Sequence, residues 1–213
     1  MRVELLGYYG SDLMVANCAR TSFDRQHEAF TEGDARLIRF LAREGHHSPF
    51  FHPQATLRIS AAIPIARQLL RHQVGLAVSE VSRRYVRSSP EFEALVWRAS
   101  APDVKQGSAG ALGAAEQADW TAIYDQHCRN AVRAYEAMLE SGVAPEQARF
   151  ILPQGMLTTW VWTGSLFAFA RVCRERLAPD AQSEVRDVAR AIARIMSGCF
   201  HHSWAALVPQ EAA

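Results

Sequence analysis

Fifteen residues in the first half of the chain, Arg71 to Tyr85, concentrate polar side chains that could bind an anion. They include three arginines, a histidine, a glutamine, two serines and a glutamate. A planar guanidinium can bind a phosphate, or paired carbonyl oxygens on a base edge, through two parallel hydrogen bonds, and serine hydroxyls can add more. Gly75 is predicted to break a helix there and to let a ligand approach the backbone. A solvated, charged helix followed by a polar loop would have the same composition, and the pattern alone leaves both interpretations open.

A helix beginning at Pro64 is predicted to lead into this segment, since proline is favoured in the first helical turn. Helical spacing would place Arg67 and Arg71 on one face and Gln68 and His72 on a neighbouring face. The helix would thus present two guanidinium groups together.

Three histidines that lie close together, His46, His47 and His52, suggest a metal hypothesis. Their spacing differs from that of a zinc helix such as HExxH, and no nearby Asp or Glu completes a ligand set. We therefore predict that this segment holds no metal. His201 and His202 are predicted to lie at the surface or at an interface rather than to bind a ligand.

The composition is that of a soluble globular protein that could form one domain over residues 1–213. Hydrophobic residues make up 49% of the chain and charged residues 21%, and the formal net charge is +1. So small a charge argues against bulk electrostatic binding, and we expect neither a nucleic acid nor a membrane as partner. Lys105 is the only lysine, which leaves almost no candidate for Schiff-base chemistry.

The cysteines are scattered without a CxxC pair, which argues against a disulfide framework and against a thiolate metal site. Neither a signal-peptide hydrophobic region nor an apolar run of membrane-spanning length is visible, so the sequence predicts a cytoplasmic protein. Arginines beside Cys173 could activate its thiol, but its apolar neighbours favour a buried, unreactive side chain. The cysteines are Cys18, Cys128, Cys173 and Cys199.

Hydrophobic periodicity predicts the elements of the N-terminal half. Asp34 is predicted to cap a helix that carries Phe40 on its apolar side and that Gly45 ends. The other predicted elements of this half are strands over residues 2–8, 54–62 and 95–97, a helix over 12–19 and an extended segment over 86–93.

The C-terminal half is predicted to be helical. Residues 101–115 are rich in Gly, Ala and Ser and are interpreted as a surface loop between the two halves. The predicted fold class is α+β, with a small sheet from the N-terminal half, helices packed on it, and a helical C-terminal half. The helices predicted beyond the loop cover residues 116–141, 145–149, 164–176 and 180–197.

The polar segment resembles the signature of the flavin-dependent thymidylate synthases, which runs Arg-His-Arg, then seven or eight residues, then Ser and a closing Arg-Tyr. Two positions depart from the usual pattern, because Gln73 stands in place of Arg and Ser79 in place of Asn. In this chain the signature reads Arg71-His72-Gln73, eight residues, Ser82, and Arg84-Tyr85.

Other blocks resemble the same family in the same order along the chain. Residues 19–23 are similar to its Ala-Arg-x-Ser-Phe block, and residues 45–52 to its Gly-His-x-Ser/Thr-Pro-Phe-x-His block. Phe51 stands where the family often has Glu. The blocks of the C-terminal half are Ala148-Arg149, Leu152-Pro153, Thr158, Trp162-Thr163, Arg176 and residues 181–186.

The resemblance implies a uracil-nucleotide site, an FAD site and a catalytic set. Substrate-binding residues would be Gln68, Glu80, Ser82, Arg84, Arg149 and Arg176. FAD-binding residues would be Ser22, Ser48, Arg71, His72, Gln73, Ser79, Ser165 and Arg171, the last two in place of asparagines. The catalytic residues would be Arg176, which binds the base, His46, which lies beside flavin and folate, and Ser82.

The activity that the resemblance implies is flavin-dependent C5-methylation of a uridine monophosphate, with dUMP as the default substrate and UMP as an open alternative. Methylenetetrahydrofolate would donate the carbon, NADPH would reduce the FAD, and a homotetramer would hold FAD across subunits. The lack of an obvious cysteine nucleophile fits this route.

A second hypothesis is a non-catalytic nucleotide-binding or assembly protein on the same fold, which the substitutions on the flavin side favour. An RNA-binding module ranks last, since it lacks both net charge and a recognised motif.

Overall fold

A computed structural model describes residues 1–102 and 107–208 of the chain. Lys105 and part of the predicted 101–115 loop lie outside the described residues. Strands and helices alternate at first, and helices dominate the end of the chain, which confirms the α+β class. The elements are β1 (Arg2–Tyr9), α1 (Asp12–Arg20), α2 (Glu32–Arg43), β2 (Gln54–Ala62), α3 (Ile63–Leu69), β3 (Leu76–Glu80), β4 (Arg98–Ser100), β5 (Ser108–Ala111), α4 (Ala114–Glu140), α5 (Pro145–Ala148), β6 (Leu157–Ser165), α6 (Leu166–Arg176), α7 (Ser183–Cys199) and α8 (His201–Leu207).

The main sheet has four antiparallel strands in the order β1-β2-β6-β3. Strand β6 belongs to the C-terminal half yet lies between β2 and β3, so the prediction that the sheet comes from the N-terminal half alone is wrong. Strand β3 lies within the polar segment and was also not predicted. The sheet therefore brings residues from both halves of the chain side by side.

Alternation along β2 and β6 gives the sheet one buried face. Leu57 lies opposite Trp162 and Ile59 opposite Trp160, and all four side chains are buried in the hydrophobic core. Burial of large apolar side chains is the main driving force for such a layer. The core continues into α6 and α7, whose buried side chains belong to the same cluster. These helices therefore hold the C-terminal end of α6 in a fixed place relative to the sheet.

The second helix begins differently from the prediction. Thr31 is the N-cap of α2, and Asp34 is the third helical residue, which completes a capping box with Thr31. Asp34 is fully buried and forms an ion pair with Arg20 of α1. Phe40, predicted on the apolar side, is exposed, whereas Gly45 ends the helix with a positive φ as expected.

Helix α3 is shorter than predicted. It ends at Leu69, so Arg71 does not continue its face and Gly75 does not end it. Gly75 instead has a φ of +77° just before β3 begins. Other differences are the absence of a strand at 95–97 and the presence of β5 in the predicted loop, where it pairs with β4 just before the loop. Helix α7 also extends through Gly198, and helix α8 was not predicted.

Helix α4 is present over nearly the predicted range. Its Tyr135 is buried, but Trp120 and Ile123, predicted on its apolar side, are 51% and 59% exposed. This helix therefore shows a partly uncovered apolar surface within the single chain. Over the residues that the structure describes, no helix combines the length and the apolar character needed to cross a membrane.

Candidate functional site

Two distant parts of the sequence meet at the C-terminal end of α6. Nε of Arg176, the last residue of α6, donates a hydrogen bond of 2.9 Å to Nε2 of His72. Nη2 of Arg176 donates to the backbone oxygen of Gln68, in α3, at 3.4 Å. The Gln68 side chain in turn donates to that of Gln182, the N-cap of α7. Three predicted site residues, Gln68, His72 and Arg176, are thus brought together.

The hydrogen bond with Arg176 determines the protonation of His72. Since a guanidinium only donates, Nε2 of His72 must accept and carries no proton. Burial and the positive charges of Arg176 and Arg171 lower the pKa of His72 below its usual 6.5, with Glu175 opposing them. Oε2 of Glu175 lies 4.0 Å from Nδ1 of His72. The imidazole is therefore neutral near pH 7.

On the other side of α3 lies an open cleft of about 680 Å³. Glu80 from the end of β3 and Arg149 line it, and the family resemblance implies both as substrate-binding residues. Arg67 and Arg83 also line the cleft and were not among the predicted site residues. Arg83 lies inside the signature, between the predicted residues Ser82 and Arg84. This position could have identified it from the sequence. The cleft combines several cationic side chains and so suits an anionic ligand.

Glu80 is held in place by the neighbouring strand. The hydroxyl of Thr158, a buried residue of β6, donates a hydrogen bond of 2.6 Å to Oε1 of Glu80. Thr158 was recognised as part of a family block, but no role was predicted for it. This contact leaves the second carboxylate oxygen of Glu80 available to a ligand.

Ser82, Arg84 and Arg149 cluster near helix α5. Nε of Arg84 lies 3.3 Å from a carboxylate oxygen of Glu146, and Nε of Arg149 donates to the backbone oxygen of the same residue. The Ser82 hydroxyl accepts from the backbone N–H of Arg84. Within the described residues, no hydrogen bond links this cluster to Arg176. The predicted substrate-binding residues therefore form two groups in the single chain.

The predicted flavin-side residues are spread over several elements. Ser165 is the N-cap of α6, where its hydroxyl accepts from the N–H of Ala168. Gly75 packs against this cap, since a Cβ there would lie 3.7 Å from the Ser165 hydroxyl and 3.2 Å from Cβ of Ala168. Arg171 lies on α6, close enough to lower the pKa of His72. The other predicted flavin-side residues, apart from the partly buried His72, are exposed: Ser22, Ser48, Arg71, Gln73 and Ser79.

His46 is exposed and makes an edge contact with Phe40, with ring centroids 6.1 Å apart. Its neighbour His47 packs on Phe167 of α6 at 4.3 Å, and Phe51 contacts the same ring at 5.1 Å. In the part of the chain that the structure describes, no hydrogen bond, ion pair or ring contact joins His46 to Arg176 or to Ser82. The three predicted catalytic residues are thus not linked by such an interaction in the single chain.

The thiols are poor nucleophile candidates. Burial raises the pKa of Cys18, Cys128, Cys173 and Cys199. Cys173 is fully buried and its Sγ faces the backbone oxygen of Ala189 at 3.5 Å, so the flanking arginines do not activate it. Among residues 1–102 and 107–208, no group of three or more His, Cys, Asp or Glu side chains could hold a metal ion.

Comparisons with known proteins agree on one family. A family model described as thymidylate synthase complementing protein matches residues 4–200. A flavin-dependent thymidylate synthase from Thermus thermophilus is 38% identical over 205 residues, which is 96% of this chain and 74% of that protein. Another from Kosmotoga olearia is 31% identical over 91% of this chain and 84% of its own length. A crystal structure of the UMP/dUMP methylase PolB from Streptomyces cacaoi, bound with 5-Br dUMP, has a TM-score of 0.84 and 25% identity, and the match covers 96% of this chain and 93% of that one.

Proposed function

Because this chain belongs to the flavin-dependent thymidylate synthase family, we propose that it methylates C5 of a uridine monophosphate in a flavin-dependent reaction. The first expected substrate is dUMP, which would give dTMP. UMP is the second, since the structurally similar protein from Streptomyces cacaoi is described as a UMP/dUMP methylase. A pocket must be built against an extra hydroxyl to reject it strongly.

The meeting of Arg176 with Gln68 and His72 carries this proposal. Arg176 and Gln68 are separated by 108 residues, and the family resemblance implies both as substrate-binding residues. A fold that brings two such residues into hydrogen-bonding contact supports a common site. The hydrogen bond from Arg176 to His72 also helps to orient the planar guanidinium, and with it the directions of its remaining N–H groups.

The side chains of the site have separate roles in the proposed reaction. Arg176 binds the uracil edge and stabilises negative charge that develops on the ring, since a guanidinium does not release its proton at neutral pH. Arg84 and Arg149, with Ser82, bind the phosphate, and Arg67 and Arg83 add positive charge along the cleft. Glu80, oriented by Thr158, accepts hydrogen bonds from the nucleotide.

The flavin-side residues fit a dinucleotide cofactor such as FAD. Arg71 and Gln73 are exposed, Arg171 is partly exposed, and among the described residues their side chains are not engaged in hydrogen bonds. Free cationic and amide donors are what a pyrophosphate and a flavin ring need. Arg71, Gln73, Ser79 and Arg171 would therefore hold the cofactor, with Ser22, Ser48, His72 and Ser165 around it. When bound, the reduced flavin supplies the hydride of the reductive methylation.

We further propose methylenetetrahydrofolate as carbon donor, NADPH as reductant, and a single domain over residues 1–213 that acts in the cytoplasm as a homotetramer. His46 would lie beside the folate. The separation of the substrate-binding residues into two groups favours an assembly in which another copy completes the site. The exposed Trp120 and Ile123 of α4 provide apolar surface for such an assembly.

The test is a turnover assay with FAD, NADPH and methylenetetrahydrofolate, with dUMP and UMP in separate reactions and mass detection of methylated nucleotide. We expect product from dUMP. Comparable product from UMP would identify a broader methylase, and no product from either nucleotide would refute the proposed activity. Replacing Arg176 by Lys should lower turnover about 100-fold, because it removes both the donor to His72 and the planar fork.

A non-catalytic nucleotide-binding protein is the second candidate. The departures from the family pattern at Gln73, Ser79, Ser165 and Arg171 all fall on the flavin side and favour this alternative. The two candidates differ in a property that needs no substrate. The enzyme should purify with, or take up, FAD and show flavin absorbance, whereas the binding protein should bind dUMP without flavin.

A further inference from the structure

We propose that His72 is a positioning residue that fixes the guanidinium of Arg176 by accepting a hydrogen bond at Nε2. This inference rests on the proposed function, which assigns the uracil edge of the nucleotide to Arg176. It gives His72 a role beyond the flavin contact that the family resemblance implies.

The contact with His72 sets the plane of the Arg176 guanidinium. Nε donates to His72 at 2.9 Å and Nη2 donates to the backbone oxygen of Gln68 at 3.4 Å. Because the guanidinium is planar, two anchors on different nitrogens fix both its plane and its rotation. Three of its five N–H groups then remain for a ligand. Nη1 has no hydrogen-bond partner among residues 1–102 and 107–208.

The surroundings of His72 keep it in the tautomer that this role needs. Its side chain is only 9% exposed, and the charged groups that face it are Arg171, Glu175 and Arg176, all from α6. Two cations and burial oppose a second proton on the ring. The carboxylate of Glu175, 4.0 Å from Nδ1, favours the proton on that nitrogen. Nε2 is then left as the acceptor.

The use of Nε2 by Arg176 limits what else His72 can do. Only Nδ1 and the ring faces remain for a cofactor. Protonation of His72 would remove the acceptor and place a positive charge against the guanidinium. Arg176 would then lose one of its two anchors, and substrate binding would weaken although the cofactor residues elsewhere stay in place.

Two variants at position 72 separate positioning from packing. His72→Gln keeps an acceptor oxygen near the place of Nε2, and His72→Phe keeps the ring without an acceptor. We expect His72→Phe to lower kcat/KM for dUMP about tenfold or more, while His72→Gln stays within about threefold of the wild-type protein. Both variants change the ring that would contact the flavin, so kcat/KM is compared at saturating FAD, where only the loss of the acceptor separates His72→Phe from His72→Gln. In an Arg176→Ala background, His72→Phe should have almost no further effect.

NMR of 15N-histidine-labelled protein tests the contact without any turnover. Nε2 of His72 should be unprotonated at neutral pH, and Arg176→Ala should raise the pKa of His72 because a positive charge is removed. A protonated Nε2, or additive losses in the double variant, would overturn the inference. If the wild-type protein makes no methylated nucleotide, the proposed function fails. The affinity of the variants for dUMP then tests the positioning role of His72 by itself. Weaker dUMP binding by His72→Phe alone would support positioning, and unchanged binding would refute it.

Discussion

The hydroxyl of Thr158 donates a hydrogen bond of 2.6 Å to Oε1 of Glu80, and so joins strand β6 to the end of strand β3. Thr158 is buried, whereas Glu80 lines the open cleft. A hydrogen bond to a carboxylate is stronger than one between neutral groups. A residue inside the sheet therefore orients a carboxylate at the surface of the site.

Replacing Thr158 by Val should weaken nucleotide binding. Valine keeps the shape of the side chain but removes the donor, so Glu80 loses its orientation. Hydrogen bonds to charged groups contribute about 1.5–3 kcal/mol, and we expect a loss of about tenfold or more in dUMP affinity by calorimetry. Thr158→Ser, which keeps the hydroxyl, is the matched control and should bind dUMP nearly as the wild type does. Equal affinities for the two variants would show that Glu80 does not depend on Thr158.

Replacing Gly164 by Ala should separate β3 from β6. A Cβ at this position would lie 2.7 Å from the backbone oxygen of Gly75 and would also overlap the Leu76 side chain. Because backbone cannot move as a side chain can, we expect a loss of about 1–3 kcal/mol in the free energy of unfolding, measured in urea. Gly198→Ala is the control, since a Cβ there meets nothing within 4 Å and alanine favours the helix α7. A Gly164→Ala protein as stable as that control would contradict the close approach of the strands.

Replacing Asp34 by Asn should destabilise the protein in a pH-dependent manner. Burial alone would raise the pKa of Asp34, but hydrogen bonds from Thr31 and Arg20 hold it well below the usual 3.8. The ionised carboxylate thus contributes stability that is fully present above the usual value and is lost as pH falls below it. At neutral pH we expect a loss of about 3 kcal/mol in the free energy of unfolding, since the variant leaves Arg20 without its partner.

The effect of Asp34→Asn on the free energy of unfolding should also depend on pH, which urea titrations at several pH values measure. The difference between the wild type and Asp34→Asn should shrink as pH falls below about 4, because protonation of the wild-type carboxylate becomes linked to unfolding. Glu32→Gln, on the same helical turn but in an exposed pair with Arg39, should leave the stability almost unchanged. A difference that stays constant with pH would exclude an ionised Asp34 as its cause.

Replacing Trp120 by Glu should reduce the oligomeric state. The Trp120 side chain is 51% exposed in the single chain and would be covered in the proposed tetramer. Burying a charge without a partner in an apolar interface is costly, so sedimentation velocity should show smaller species. Asn130→Glu, at an exposed polar position of the same helix, should keep the assembly of the wild type. A Trp120→Glu protein of unchanged size would place the interface elsewhere.

Local patterns in the sequence were enough to predict most helices, β1, β2 and the α+β class. These features depend on apolar periodicity and on residues such as Gly45, whose positive φ ends α2. The same reasoning missed strand β3 and the central position of β6. Strand pairing joins residues far apart, as Leu76 with Gly164, and no local signal specifies the partner.

The family blocks in the sequence determined which residues to consider, but their contacts depended on the tertiary structure. Arg176 and His72 lie 104 residues apart, and only the packing of α6 on the core brings Nε to Nε2. The same holds for Thr158 and Glu80, which meet because β6 pairs with β3. The sequence by itself determined residue types and local elements through short-range preferences. The tertiary structure alone decided which of the distant side chains share a hydrogen bond, because long-range packing sets those distances.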